Sequence, residues 1–218
     1  VPVICFPREI KNYKEFCDIV KPDAVSIDYN VNPKKILRDI KIPISNAGDG
    51  DGEHPTQALL DVFTIREERG TVNKSVVSIV GDLKYGRTVH SLVRLLCCYK
   101  ITFNFVSTDE LGLDEGTQRF LEERGITYNR YSSIKDVIEN TDVLYMTRTQ
   151  MERLGDEKID KGYIQKNLYL TQETLTDAKH NMVIMHPLPR NQEININIDN
   201  DPRAAYFRQM ENGLYIRM

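Results

Sequence analysis

The chain has 218 residues with 29 basic and 32 acidic side chains, a balance that gives neither a basic field for nucleic acid nor an acidic tail. That length suits one large domain or two small ones with a real core, and no apolar run approaches the ~18 residues of a membrane span. Cys5, Cys17, Cys97 and Cys98 show no Cys-x-x-Cys pair or Cys/His ligand spacing, and the amino terminus lacks a charged-then-apolar leader pattern, so a reducing, cytoplasmic setting is the expectation.

In chain order, short apolar runs predict strands at 1–6, 24–27, 42–44, 75–80, 101–106, 126–128, 142–146 and 182–185. Helical patterns lie between them. Leu59, Leu60 and Phe63 predict the buried face of a helix opened by His54-Pro55, with Pro55 at the first turn where a missing N–H costs nothing. Val89, Leu92, Val93 and Leu96 follow the i, i+3, i+4, i+7 spacing of another buried face, and Cys97 and Cys98 close that run as packing thiols. The stretch 154–170 is charged, weakly periodic and broken by Gly155 and Gly162, which predicts a surface loop or a lid. Strand–helix alternation predicts an α/β fold: a doubly wound parallel sheet over 71–218, preceded by a partial α/β unit over 1–70.

Four motifs fall where strands should hand over to loops or helices: Glu53-His54-Pro55-Thr56-Gln57, Gly81-Asp82-Leu83-Lys84-Tyr85-Gly86-Arg87-Thr88, Met146-Thr147-Arg148-Thr149-Gln150 and His186-Pro187-Leu188-Pro189-Arg190. Open parallel sheets bind ligands at the carboxyl ends of their strands, so the four clusters predict one site for a small anion. The glycine-rich stretch 46–52 leads into the helix of His54, whose start offers free N–H groups. His54 and Gln57, three apart, point from that first turn towards one pocket. A helix-capping role for the same residues is the plainer alternative. Asp49 and Asp51 lack the later ligands of a calcium loop.

The 81–88 stretch resembles a phosphate loop with Arg87 in place of its lysine; a guanidinium fork suits a carboxylate or phosphate clamp better than a wrapped nucleotide, and a structural turn is the plainer alternative. Arg148 and Gln150 alternate onto one side after their strand, and Arg148 with Arg87 supplies two forks, the number that fixes a dicarboxylate. Pro187 and Pro189 lack donors and end a strand, which frees the carbonyls of Pro187 and Leu188 for a substrate amine. His90 and His180 have no partners at metal-ligand spacing.

From about residue 42 to 218 these motifs, with the closing DPRAAYFRQMENGLYIRM, closely resemble the catalytic chain of the aspartate carbamoyltransferases. Proline at 187, where the sister ornithine enzymes carry cysteine, favours the aspartate branch. The resemblance implies that His54 hydrogen-bonds the carbonyl oxygen of carbamoyl phosphate, while Gln57 and the Pro187 carbonyl hold its amide. It implies that Arg87, Arg148 and Gln150 hold L-aspartate and that the Leu188 carbonyl steers the attacking amine. It further implies no metal and no cofactor, a cytoplasmic homo-oligomer (a trimer in the family), and no nucleic-acid or membrane partner. The family's Ser-Thr-Arg-Thr phosphate cradle has no counterpart in this sequence, and Asp28 falls where a phosphate-binding arginine is expected. Two readings follow: a carbamoyltransferase of pyrimidine synthesis, or a truncated or chimeric homologue that binds dicarboxylates or acts through oligomer formation. Residues 1–41 instead resemble, at Val3 to Phe6 and Asp23 to Asn30, a strand–helix–strand piece of uroporphyrinogen decarboxylase. Apolar surface near 1–6 and 24–27 is expected to stand uncovered and to favour self-association.

Overall fold

A computed structural model describes residues 4–5, 12–27, 32–46, 53–148 and 161–217. The glycine-rich turn at 47–52, Asp28, Thr149, Gln150 and residues 151–160 lie outside the described residues.

The chain opens with three parallel strands, β1 (Ile4–Cys5), β2 (Ala24–Ile27) and β3 (Ile44–Asn46), in the order β1-β2-β3. Helix α1 (Tyr13–Val20) starts where the Asn12 side chain accepts from the Glu15 N–H. Helix α2 (Pro33–Asp39) starts where the Asn32 side chain accepts from Lys34, with Pro33 in the first turn. Both are side-chain N-caps that satisfy an otherwise orphaned donor. Val25, Ile27, Ile36 and Ile40 form a small core of their own. Val25 and Ile27 are therefore covered by packing from α2, and the expectation of bare apolar surface at 24–27 is corrected.

After α3 (Pro55–Arg69), which ends at Gly70 in the left-handed conformation, comes a five-stranded parallel sheet. Its strands are β4 (Val76–Val80), β5 (Thr102–Val106), β6 (Tyr128–Tyr131), β7 (Val143–Met146) and β8 (Val183–Met185), in the order β6-β5-β4-β7-β8. Alternation divides the side chains between two cores. Val77, Ile79, Phe103, Phe105, Val143 and Tyr145 meet α3 and α4 (Arg87–Leu96) on one face. Val80, Val106, Leu144, Met146 and Ile184 meet α6 (Lys161–Leu168) and the start of α7 (Tyr206–Arg217) on the other. Helix α5 (Glu115–Glu123) adds Leu121 to the first face. Helices on both faces of a parallel sheet make this the doubly wound α/β fold that the alternation predicts.

A polar row crosses the second face. Asn129 donates to Asn104 (3.0 Å), Asn104 to Ser78 (3.3 Å), Ser78 to Thr141 (2.6 Å) and Thr141 to the Val137 carbonyl (2.8 Å). Each buried group thereby has a partner, as low-dielectric burial demands.

Four expectations need correction. β6 runs over 128–131 and not 126–128, because its pairing from Phe103↔Tyr128 to Val106↔Tyr131 carries the polar pair Asn129 and Arg130, which no apolar pattern marks. Part of the stretch read as a loop is α6, held by Ile164 and Leu168, four apart and 2% and 1% exposed. On α3 the buried face is Ala58, Leu60, Val62 and Ile65, while Leu59 is 49% exposed. Cys97 is half-buried and burial pushes its thiol up to about 11, but Cys98 is exposed and does not pack.

Candidate functional site

The order of the five strands reverses direction between β4 and β7, so the crevice of this open sheet lies at their carboxyl ends. The loop after β4 holds Gly81 and Asp82 and leads to Arg87 at the start of α4, and Thr147 and Arg148 follow β7. These two segments touch closely. A Cβ on Gly81, whose φ is 115°, would sit 2.5 Å from Thr147 Oγ1 and 2.7 Å from its carbonyl oxygen. Only glycine fits, by space and by φ. The Asp82 carboxylate accepts from the Tyr85 N–H at 2.9 Å and folds the loop back so that Gly86 starts α4, with Arg87 in its first turn.

His54 stands at the start of α3 with Pro55 in the first helical turn and makes no side-chain cap, which removes the plain capping alternative for its ring. Its backbone N–H donates to Ser91 Oγ on α4 at 2.8 Å. Ser91 in turn donates to Glu53, and Glu53 pairs with Arg94 at 2.9 Å, so the turn before α3 is fastened to α4. Burial, the Arg87 guanidinium and Arg217 together hold the His54 imidazole down at about 4. At neutral pH the ring is uncharged, and its buried Nδ1 has no hydrogen-bond partner among the described residues. Thr56 Oγ1, two residues on, is likewise buried without one. Two orphaned polar atoms at a helix start, beside an arginine, are what a polar anion would satisfy.

Gln57 is 8% exposed and turns to the helix interior, donating from Nε2 to Asp61 Oδ1 at 2.8 Å. His186, 1% exposed, accepts the Leu188 N–H at Nδ1 (2.9 Å), so its Nε2 carries the proton and donates to Glu193 at 2.8 Å. Burial raises the Glu193 carboxyl, but the His186 bond and the Asn191 N–H outweigh it and hold Glu193 below its ordinary range. This imidazole is a brace for the Pro187–Leu188 turn, where Leu188 takes a left-handed φ of 46°. Arg190 closes the turn by donating to the Ile194 carbonyl and pairing with Asp199 at 2.6 Å. His90 bridges the Leu83 carbonyl and Asp114 (3.1 Å each), and His180 is exposed.

His54, Gln57, Arg87, Arg148, Pro187 and Leu188 thus sit on four segments that meet at one end of the sheet; Gln150 lies outside the described residues. Clefts of about 370 and 570 Å³ elsewhere hold none of them. Motif reading passed over Asp61, Tyr145, Gln209 and Glu193. Asp61 left a signal, a lone acid four residues after Gln57 inside an apolar helical run.

Known proteins resemble this chain in sequence and in fold. The carbamoyl-P binding domain model of the aspartate/ornithine carbamoyltransferases matches residues 18–67 and their Asp/Orn binding domain model matches 73–218. The first match reaches back into the stretch that resembles a decarboxylase. The multifunctional protein pyr1-3 of Dictyostelium discoideum is 50% identical over 96% of this chain and 9% of its own length. The chloroplastic aspartate carbamoyltransferase of Oryza sativa is 48% identical over 81% of this chain and 49% of its own. This chain therefore spans under a tenth of the multifunctional relative and about half of the plant enzyme. The catalytic subunit of M. jannaschii aspartate transcarbamoylase superposes with a TM-score of 0.83 at 34% identity, covering 96% of this chain and 69% of that one. The Trypanosoma cruzi enzyme, solved in complex with carbamoyl phosphate, gives 0.79 at 36% identity, covering 94% and 66%. With family models matching both parts of the sequence and solved relatives sharing its fold, the chain belongs to the aspartate/ornithine carbamoyltransferase family, on its aspartate side.

Proposed function

We propose that this chain takes part in transferring the carbamoyl group from carbamoyl phosphate to L-aspartate, a step of de novo pyrimidine biosynthesis. The observation that carries this reading is the neutral His54 ring beside Arg87 at the start of α3. A neutral imidazole can donate to the carbamoyl oxygen and stabilise the oxyanion as the aspartate amine attacks and phosphate leaves. Gln57 and the Pro187 carbonyl would hold the carbamoyl amide. Arg87, Arg148 and Gln150 would hold the two aspartate carboxylates, and the Leu188 carbonyl would steer the amine. Positioning carries the rate in such a scheme. Residues 1–70 would form the carbamoyl phosphate side and 71–218 the aspartate side, in a cytoplasmic homo-oligomer, a trimer.

The lack of a Ser-Thr-Arg-Thr run supports a second reading, a dicarboxylate binder that does not turn over by itself. Each missing charge-assisted contact to phosphate weakens binding by about 1.5–3 kcal/mol. A coupled assay of carbamoyl aspartate formation, with the purified chain alone and mixed with a full-length relative, separates the two. The expected result is little turnover alone, with succinate binding by calorimetry better than ornithine. Arg148→Ala should lose about 1.5–3 kcal/mol of that affinity, roughly 10- to 150-fold. Family-level turnover by the chain alone would remove the second reading. Equal affinity for succinate and ornithine would remove the dicarboxylate clamp from both.

A further inference from the structure

Asp61 lies inside α3, fully buried, away from solvent and from any expected substrate contact. Its carboxylate nevertheless gathers three donors. Gln57 Nε2 reaches Oδ1 at 2.8 Å, Gln209 Nε2 reaches the same oxygen at 2.7 Å, and the Tyr145 hydroxyl reaches Oδ2 at 2.8 Å. Each donor leads to a different part of the crevice. Gln57 is in the first turn of α3, three residues from His54. Tyr145 is on β7, three residues before Arg148. Gln209 on α7 spends its other end on the turn after β8, where Oε1 accepts the His186 N–H at 2.9 Å. That amide is committed at both ends, so it cannot flip without breaking one bond or the other.

We propose that Asp61 is a positioning residue which holds three substrate-facing segments, the start of α3, the end of β7 and the turn after β8, in one mutual geometry, and which aims Gln57 by fixing its Nε2 inward. This inference rests on the proposed carbamoyl transfer site. With Nε2 committed to Asp61, Gln57 keeps Oε1 as the end of its amide with no partner among the described residues, an acceptor suited to the –NH2 of a carbamoyl group. A carboxylate suits the post because its two oxygens can take several donors at once, and the acceptor-only ionised form prevails above the value of about 7 to which burial raises this group.

The variant D61N keeps the volume but exchanges one acceptor for a donor, so at least one of the three bonds is lost or reversed. Thr64→Val is the matched control. It removes the 2.9 Å bond from Asn212 Nδ2 to Thr64 Oγ1 on the same α3–α7 contact, one turn further from the crevice. Circular dichroism should report both variants folded. Calorimetry with succinate should show affinity at least tenfold lower in D61N and within twofold of wild type in Thr64→Val. Ligand-free backbone hydrogen exchange should accelerate at least tenfold at His186, Thr147 and Arg148 in D61N alone. Wild-type chain that binds no succinate would overturn the site reading, while the exchange arm still decides the role of Asp61. Equal exchange and equal affinity in D61N and wild type, or equal losses in D61N and Thr64→Val, would overturn the positioning role and leave Asp61 as ordinary packing.

Discussion

At the scale of single residues, His54 and Asp61 respond to pH in opposite senses. Burial, Arg87 and Arg217 hold the folded His54 at about 4, below its ordinary 6.5. Between those values the unfolded chain takes up a proton that the folded chain declines, so this residue makes stability fall as pH falls from 6.5 to 4. Burial pushes Asp61 from 3.8 up to about 7, with the bonds from Tyr145, Gln209 and Gln57 pulling the other way. Here the folded chain keeps a proton that the unfolded chain releases, so stability falls as pH rises from 3.8 to 7. The two trends oppose each other across the shared window, with a slope of up to about 1.4 kcal/mol per pH unit for a buried group. Urea midpoints from pH 4.5 to 6.5 should therefore change little in wild type through these two groups. D61N should leave stability climbing with pH, and His54→Gln should leave it descending. Parallel pH profiles for the two variants would contradict both assignments.

At the scale of elements, α3 shows where pattern reading succeeds and where it stops. Its start was legible, since His54-Pro55 marks a first turn and Gly70 a last one. The buried face was not, because α3 is packed on several sides and its partner α7 is remote in sequence. The two helices run antiparallel: Arg208 pairs with Glu68, Asn212 with Thr64, Gln209 with Asp61, and Gly213 lies against Leu60. Polar Gln57, Asp61 and Thr64 are buried there, which defeats a rule that seeks only apolar periodicity. Leu60→Ala should accordingly cost about 2–5 kcal/mol by leaving a cavity, and Leu59→Ala about 0.5 kcal/mol or less. Chemical denaturation checks the contrast, and similar losses at both positions would contradict this packing. The α4 face was legible because Val89, Leu92, Val93 and Leu96 are all fully buried on one side of an otherwise amphipathic helix. β6 was placed two residues early because edge strands carry polar residues such as Asn129 and Arg130.

At the scale of the molecule, the fold class and four motif positions could be read from alternation and punctuation, because strands buried on both faces read as apolar runs. The network joining those positions could not. Asp61 and Gln209 are 148 residues apart, and Asp61 and Tyr145 are 84 apart, so no local pattern links them. The two sheets also differ in what holds them. Among the described residues the first rests on four buried side chains, whereas each face of the second has its own large cluster. Local openings cost less where fewer apolar contacts must part. Native-state hydrogen exchange should be faster at Val25 and Ile27 than at Val77 and Ile79. Equal protection would mean that the first sheet draws support from the second unit.

The polar row through Asn129, Asn104, Ser78 and Thr141 also fixes how the sheet can assemble. Its Asn104–Ser78 link spans 26 residues and its Ser78–Thr141 link spans 63. Because the closure of a shorter loop loses less chain entropy, β5 is the neighbour that β4 can recruit first, and β7 the one that must wait. Until β7 arrives, the Ser78 hydroxyl has no acceptor at Thr141, and a strand slipped by one residue would turn the whole row to the opposite face. The row therefore acts as a proofreader of strand register, rewarding the late arrival only when it docks in step.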